Sequence, residues 1–272
     1  MSAVLAQPAS SPALTTGIGC PSVRLGLLGG FRLLKHDRPL EVRHGGKTER
    51  LLTSLALRSR HGIDREELLG LVWPASDETL AAQSLHTLTH ALRQALSDAL
   101  GGHSPIVRRG GRLCLNLEDG ITVDVAEFES AAASGDMLRR AGDDTAAALA
   151  YQAAAEIYRG DLVIGSDLRE LLERERLRTR YLAVLANLAE SHFIRGDYPA
   201  AQSQALILLT NDPCREDAHR VVMRCHVRLG QRAQALRQFV MCVEILSREF
   251  GASPEPETAQ LYEQIRIQPQ TV

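Results

Sequence analysis

A chain of 272 residues with 44% apolar side chains holds enough hydrophobic material for one or two cores of ordinary domain size, yet no apolar run approaches the roughly 20 residues that cross a bilayer. The first residues lack the basic and apolar blocks of a secretory signal, and five scattered cysteines without a CxxC pair fit reduced thiols better than a disulfide frame. A cytoplasmic protein with no membrane partner is therefore expected. The formal net charge of −2 hides an asymmetry: residues 22–120 carry 14 Lys/Arg against 11 Asp/Glu and six of the nine histidines, so the first half is the one suited to phosphate.

Residues 1–21 are uncharged, mostly Ala, Ser, Pro, Thr and Gly, and without periodicity, a composition expected to form a disordered tail. VRLGLLGGFRLLKHDRPLEV then reads as short strands of a small antiparallel sheet, punctuated by Gly29-Gly30 and by His36-Asp37-Arg38-Pro39. Thr48 to Arg60 has Leu51, Leu52, Leu55 and Ala56 at helical spacing, with Gly62 beyond its end. Asp64 is expected to cap a second, shorter helix, DREELLGLVW, which Pro74 stops. Trp73, the single tryptophan, reads as a core anchor between helices.

The third helix organises the first half. Ser76 or Asp77 can cap its first turn, Gly101-Gly102 ends it, and Ala81, Leu85, Leu88, Leu92, Ala95 and Ala99 fall on one side at about 100° per residue. Opposite that stripe lie Gln83, His86, Thr87, His90, Arg93 and Gln94, a set of donors and acceptors with no carboxylate until Asp98. Such a face can approach a polyanion. SPIVRRGGRLCLNL follows, two strand-like segments around Gly110-Gly111, whose freedom at positive φ suits a tight hairpin with Arg108, Arg109 and Arg112 at or near its tip. Sheet, three helices and basic hairpin is the order of a winged helix-turn-helix: the third helix enters the major groove and the wing straddles phosphate. Lys47, at the start of the first helix, is a further phosphate candidate.

From Ile121 onward the texture becomes almost purely helical, in amphipathic segments separated by Gly or Pro. Gly196 and Gly230, Ala201 and Ala235, and His192 and His226 each stand 34 residues apart, the period of tetratricopeptide helix–turn–helix units. Gly142 and Ala147 suggest an earlier, irregularly spaced unit. The fold class expected is thus mainly α with a small β component: a winged helix-turn-helix over residues 22–120 followed by a tetratricopeptide-like helical domain over 121–272. His192, His219 and His226 read as surface or inter-helix residues.

No enzyme chemistry stands out. GGKT at Gly45–Thr48 lacks the first glycine of a phosphate-binding loop, whose place is taken by Glu41. HExxH, GxSxG and a strand-linked GxGxxG are missing, and no nucleophile–base pair is suggested by spacing. No catalytic residue, cofactor or metal is expected.

The combination of VRLGLLGGFRL, GGKTERLLTSLAL, DREELLGLVWP, SLHTLTHALRQAL and the wing RRGGRLCL with the later VDVAEFE, IYRGDL, LLERERLR, LAESHFIRGDYPAA and EFGASPEPETAQLYEQI resembles the SARP-type bacterial activators, which join an OmpR-type winged helix to a bacterial transcriptional activation domain. The resemblance covers about Val23 to Ile265. It implies dimers or higher assemblies on promoter direct repeats near the −35 region, and contact with RNA polymerase and its σ factor. Carried over by position, base reading falls on Gln83, His86, Thr87, His90, Arg93 and Gln94, and phosphate contact on Lys47, Arg108, Arg109 and Arg112. Double-stranded promoter DNA and polymerase are then the partners. A second reading stays open, a tetratricopeptide adaptor whose winged helix does not bind DNA.

Overall fold

In the computed structural model, which describes residues 23–43, 45–59, 61–163 and 168–272, the described residues open with a meander of β1 (Val23–Gly26), β2 (Arg32–Lys35) and β3 (Arg38–Pro39). The tail expected over 1–21 lies outside the described residues. Leu25 stands opposite Leu33 in the antiparallel β1–β2 pair; Val23, Leu25 and Leu33 are buried while Arg24 is exposed, the period-two alternation that fixes register. His36 and Asp37 turn β2 into β3 with φ of 48° and 60°, a backbone that Asn, Asp and His adopt more readily than most residues.

A fourth strand corrects the expectation of an all-antiparallel sheet with helix from Ile121 onward. β6 (Ile121–Val123) pairs parallel to β1, Val23 opposite Ile121. Three residues are too few for periodicity to register. The segment is extended because β1 offers it an unpaired edge.

Between β3 and β6 lie α1 (Lys47–Leu57), α2 (Arg65–Val72), α3 (Glu78–Leu96) and the hairpin β4 (Ile106–Arg109) with β5 (Arg112–Leu115). α1 buries Leu51, Leu52, Leu55 and Ala56, α2 buries Leu68, Leu69 and Val72, and α3 buries Ala81, Leu85, Leu92 and Leu96. Trp73 is buried where α2 ends. A single bridge from Ile63 to Leu113 sews the hairpin onto the α1–α2 turn.

Six further helices form three antiparallel hairpins: α4 (Asp124–Arg140) with α5 (Asp144–Ile157), α6 (Leu168–Ile194) with α7 (Tyr198–Asn211), and α8 (Glu216–Arg228) with α9 (Arg232–Phe250). α10 (Pro256–Ile267) covers the last pair. The hairpins share one solution. Gly142, Gly196 and Gly230 take φ of 82°, 78° and 73°, the left-handed turn that closes a helix cheaply only in glycine, and five residues later Ala147, Ala201 and Ala235 are each fully buried. The 34-residue register of the last two units is present; Gly142 and Gly196 stand farther apart, chiefly because α6 has 27 residues where α8 has 13.

The halves share a core. One hydrophobic cluster runs from Val23 and Leu55 through Phe128 and Tyr151 to Val184 and Leu188. Asp124, the first residue of α4, accepts hydrogen bonds from the backbone N–H of Leu27 at 2.9 and 2.8 Å and of Leu28 at 3.0 Å, and lies 3.5 Å from Arg32. Burial pushes its carboxyl above the ordinary range, against the pull of those N–H groups and of Arg32. Gly29 donates to the Asp161 carbonyl, and a Cβ on it would meet the Arg159 backbone at 2.9 Å. The Gly29-Gly30 turn therefore serves close backbone approach as well as reversal.

Candidate nucleic-acid interface

α3 begins at Asp77, whose carboxylate accepts from the Thr79 N–H at 2.9 Å, satisfying one of the free donors of the first turn. After α3, Gly101 and Gly102 adopt φ of 57° and 84°. Leu88 and Ala95 of the expected stripe are half-buried, and Leu96 completes it. Gln83, His86, Thr87, His90, Arg93 and Gln94 are all exposed. Part of that face is engaged locally: Thr87 Oγ1 donates to the Gln83 carbonyl at 3.1 Å, and the Gln94 amide lies 3.2 Å from His90 Nε2. Arg93 is exposed and has no ion-pair partner among the described residues.

The far end of the helix is held from behind. Lys35 on β2 donates to the Ala95 carbonyl at 2.9 Å and pairs with Asp98 at 2.6 Å. The hydrogen bond from Lys35 to Asp98 holds that carboxyl below its ordinary range, and the lysine is its counter-charge. Sequence spacing gave no hint of a contact across this distance.

The wing separates its three arginines. Gly110 and Gly111, with φ of 55° and 84°, make the two-residue turn whose twist suits a hairpin. Arg108 is exposed without an ion-pair partner among the described residues. Arg109 pairs with Glu118 at 2.8 Å, and Arg112 with Asp64 at 2.9 Å. The second pair revises the role expected of Asp64: it occupies the N-cap position of α2, but its side chain accepts no helix N–H and takes the wing arginine instead. Lys47 is also occupied. Its ammonium donates to the Val72 carbonyl at 2.5 Å and sits 5.9 Å from the Trp73 ring centre, so it ties the start of α1 to the end of α2.

The profile of the bacterial transcriptional activator domain matches residues 123–266, more than half of the chain. The chain belongs to this family. With a winged helix ahead of that domain, it has the SARP-type arrangement that its sequence resembles. The family is regulatory rather than enzymatic. Regulatory protein AfsR of Streptomyces griseus is 25% identical over 221 residues, which are 79% of this chain and 22% of that protein. The solved structure of Mycobacterium tuberculosis EmbR in complex with a low-affinity phosphopeptide superposes with a TM-score of 0.76 at 21% identity, covering 91% of this chain and 65% of that one. That likeness concerns the fold alone. This activator-domain chain spans about a fifth of the length of AfsR and under two thirds of the EmbR chain. Among the described residues no helix is long and apolar enough to cross a membrane.

Proposed function

We propose that this chain is a sequence-specific, cytoplasmic transcriptional activator that binds double-stranded promoter DNA with residues 22–120 and uses residues 121–272 to assemble and to engage RNA polymerase and its σ factor. The observation that carries the reading is the outward face of α3. Six residues able to hydrogen-bond or to carry positive charge, Gln83 to Gln94, are exposed on it, and no carboxylate lies between Glu78 and Asp98. Such a face has the chemistry of base-edge readout in the major groove. Gln83 is suited to adenine, Arg93 to guanine or phosphate, and Arg108 at the wing to a backbone phosphate.

Assembly as a homodimer or higher oligomer on direct repeats near the −35 region follows from the family resemblance. The helical half also offers apolar surface for protein partners: Val240, Met241 and Phe250 of α9 are 60%, 52% and 70% exposed.

A direct test is selection of duplexes from a random pool by the full chain. Gln83→Ala should shift the base preferred at one position, at a cost of about 1–3 kcal/mol in discrimination, while Arg108→Ala should weaken binding to all selected duplexes alike. An unchanged preference in Gln83→Ala would refute its assignment as a base reader. The internal pairing of Arg109 and Arg112 favours a second reading, a tetratricopeptide adaptor whose winged helix meets protein. That reading is supported if random duplex at low salt is not retained at all.

A further inference from the structure

The outward face of α3 is not uniformly polar. Leu80 stands on it 60% exposed, although Leu85, Leu92 and Leu96 of the same helix are buried and Leu88 is half-buried. At about 100° per residue, Thr87 and Ala91 fall within about 20° of the line through Leu80, the first of them about 10 Å farther along the helix. Both are exposed. The hydroxyl hydrogens beside this line are already used inside the helix: Ser84 donates to the Leu80 carbonyl at 2.8 Å and Thr87 to the Gln83 carbonyl at 3.1 Å. The line therefore offers an outside partner aliphatic surface and no hydroxyl donor, flanked by Gln83, His90 and Gln94.

In the major groove the base edges present one apolar group, the 5-methyl of thymine. We propose that Leu80, together with Thr87, recognises thymine through that methyl group, making Leu80 a specificity-determining residue. The inference rests on the DNA-binding reading of α3. A second copy of the chain is the other occupant to weigh, but a specific protein interface needs about 800 Å² from each partner. A strip one side chain wide does not supply that area. Asp77, one turn before Leu80, is held on the Thr79 N–H as the helix cap, and from Leu80 to Gln94 the helix carries no carboxylate, so the line's setting among hydrogen-bonding groups matches a base edge.

The test uses duplexes selected from a random pool by the full chain, resynthesised with deoxyuridine replacing each thymine in turn, which removes only the methyl. At one or two positions the loss should weaken wild-type binding about fourfold, the factor expected for one buried methyl. Leu80→Ala should bind the two forms equally and keep the wild-type salt dependence. Because Leu80 is exposed, the variant should retain its helical circular dichroism. Selected duplexes without a preferred thymine overturn the inference, as does equal wild-type binding of both forms or discrimination that survives in Leu80→Ala. A change of oligomeric state in Leu80→Ala, without loss of discrimination, also overturns it and assigns the line to a second copy. Failure of the wild type to retain any duplex is a different result: it removes the DNA-binding reading itself, and this inference with it.

Discussion

Replacing Asp124 with alanine tests how firmly the sheet and the helical half are joined. The substitution orphans the N–H groups of Leu27 and Leu28, which the carboxylate holds at 2.8 to 3.0 Å, in residues 2% and 0% exposed. An unpaired buried donor costs about 1–3 kcal/mol, so two cost about 2–6 kcal/mol. The charge of Asp124 is itself disfavoured by burial, and its removal offsets part of that loss. A net destabilisation of about 2–4 kcal/mol follows, a large share of the roughly 5–15 kcal/mol that holds a typical protein folded. Asp124→Asn keeps one acceptor oxygen and should lose about half as much. Urea unfolding followed by Trp73 fluorescence and by far-ultraviolet circular dichroism reads the two halves separately, because the one tryptophan lies in the first and most of the helix in the second. The shared core makes the wild-type transitions coincide, and Asp124→Ala should move both midpoints down together by roughly 1 M, for a slope near 3 kcal/mol/M. A fluorescence transition that shifts while the dichroism transition stays in place would show that the halves are not one cooperative unit. Unmoved midpoints would show that the carboxylate is not the joint.

Three other changes have definite expected signs. His219 is 1% exposed, its Nε2 lies 3.0 Å from the Pro213 carbonyl and its Nδ1 is 2.7 Å from the Gln238 amide, and burial lowers its pKa. Stability from the neutral ring is thus present above the ordinary value near 6.5 and lost as pH falls through the lower folded value; wild type should lose more stability than His219→Gln between pH 7.5 and 5.5, and parallel losses would contradict this. Gly135→Ala places a Cβ 2.5 Å from the Tyr151 ring, so thermal unfolding should show a loss of about 1–3 kcal/mol from overpacking, opposite in sign to the gain that helix propensity alone assigns. Burial raises the Cys225 and Cys242 thiols to about 11, and both should label slowly with a thiol reagent at pH 8 until urea is added; rapid labelling of these two in the folded chain, located by peptide mapping, would refute their burial.

Where a feature repeats along the chain, the sequence showed it. The outward face of α3, the Gly-Gly wing turn and the Gly196/Gly230 register are local or periodic, and each takes the expected form. Features made by distant pairs were not legible. Asp124 meets Leu27 across 97 residues, Lys35 meets Ala95 across 60, and Arg112 meets Asp64 across 48; no spacing rule links such positions. VDVAEFE and IYRGDL stood out only by resemblance, and the structure supplies physical reasons for both: Asp124 clamps the β1–β2 turn, and Gly160 gives Gly29 room to approach. β6 leaves no mark in the sequence because a three-residue strand is defined by its neighbour rather than by its own pattern. The wing arginines lie near a hairpin turn that Gly110-Gly111 makes legible, but composition does not reveal that Asp64 and Glu118 hold two of them.

The most direct measurement is the salt dependence of duplex binding by the full chain, compared with Arg108→Ala by fluorescence anisotropy. Wild type should bind random duplex at about 50 mM salt, with log K falling linearly as log salt rises, and Arg108→Ala should reduce that slope by about 0.9, one phosphate contact. Absence of binding at low salt, or a slope and affinity untouched by the substitution, would contradict the assignment of α3 and the wing to DNA.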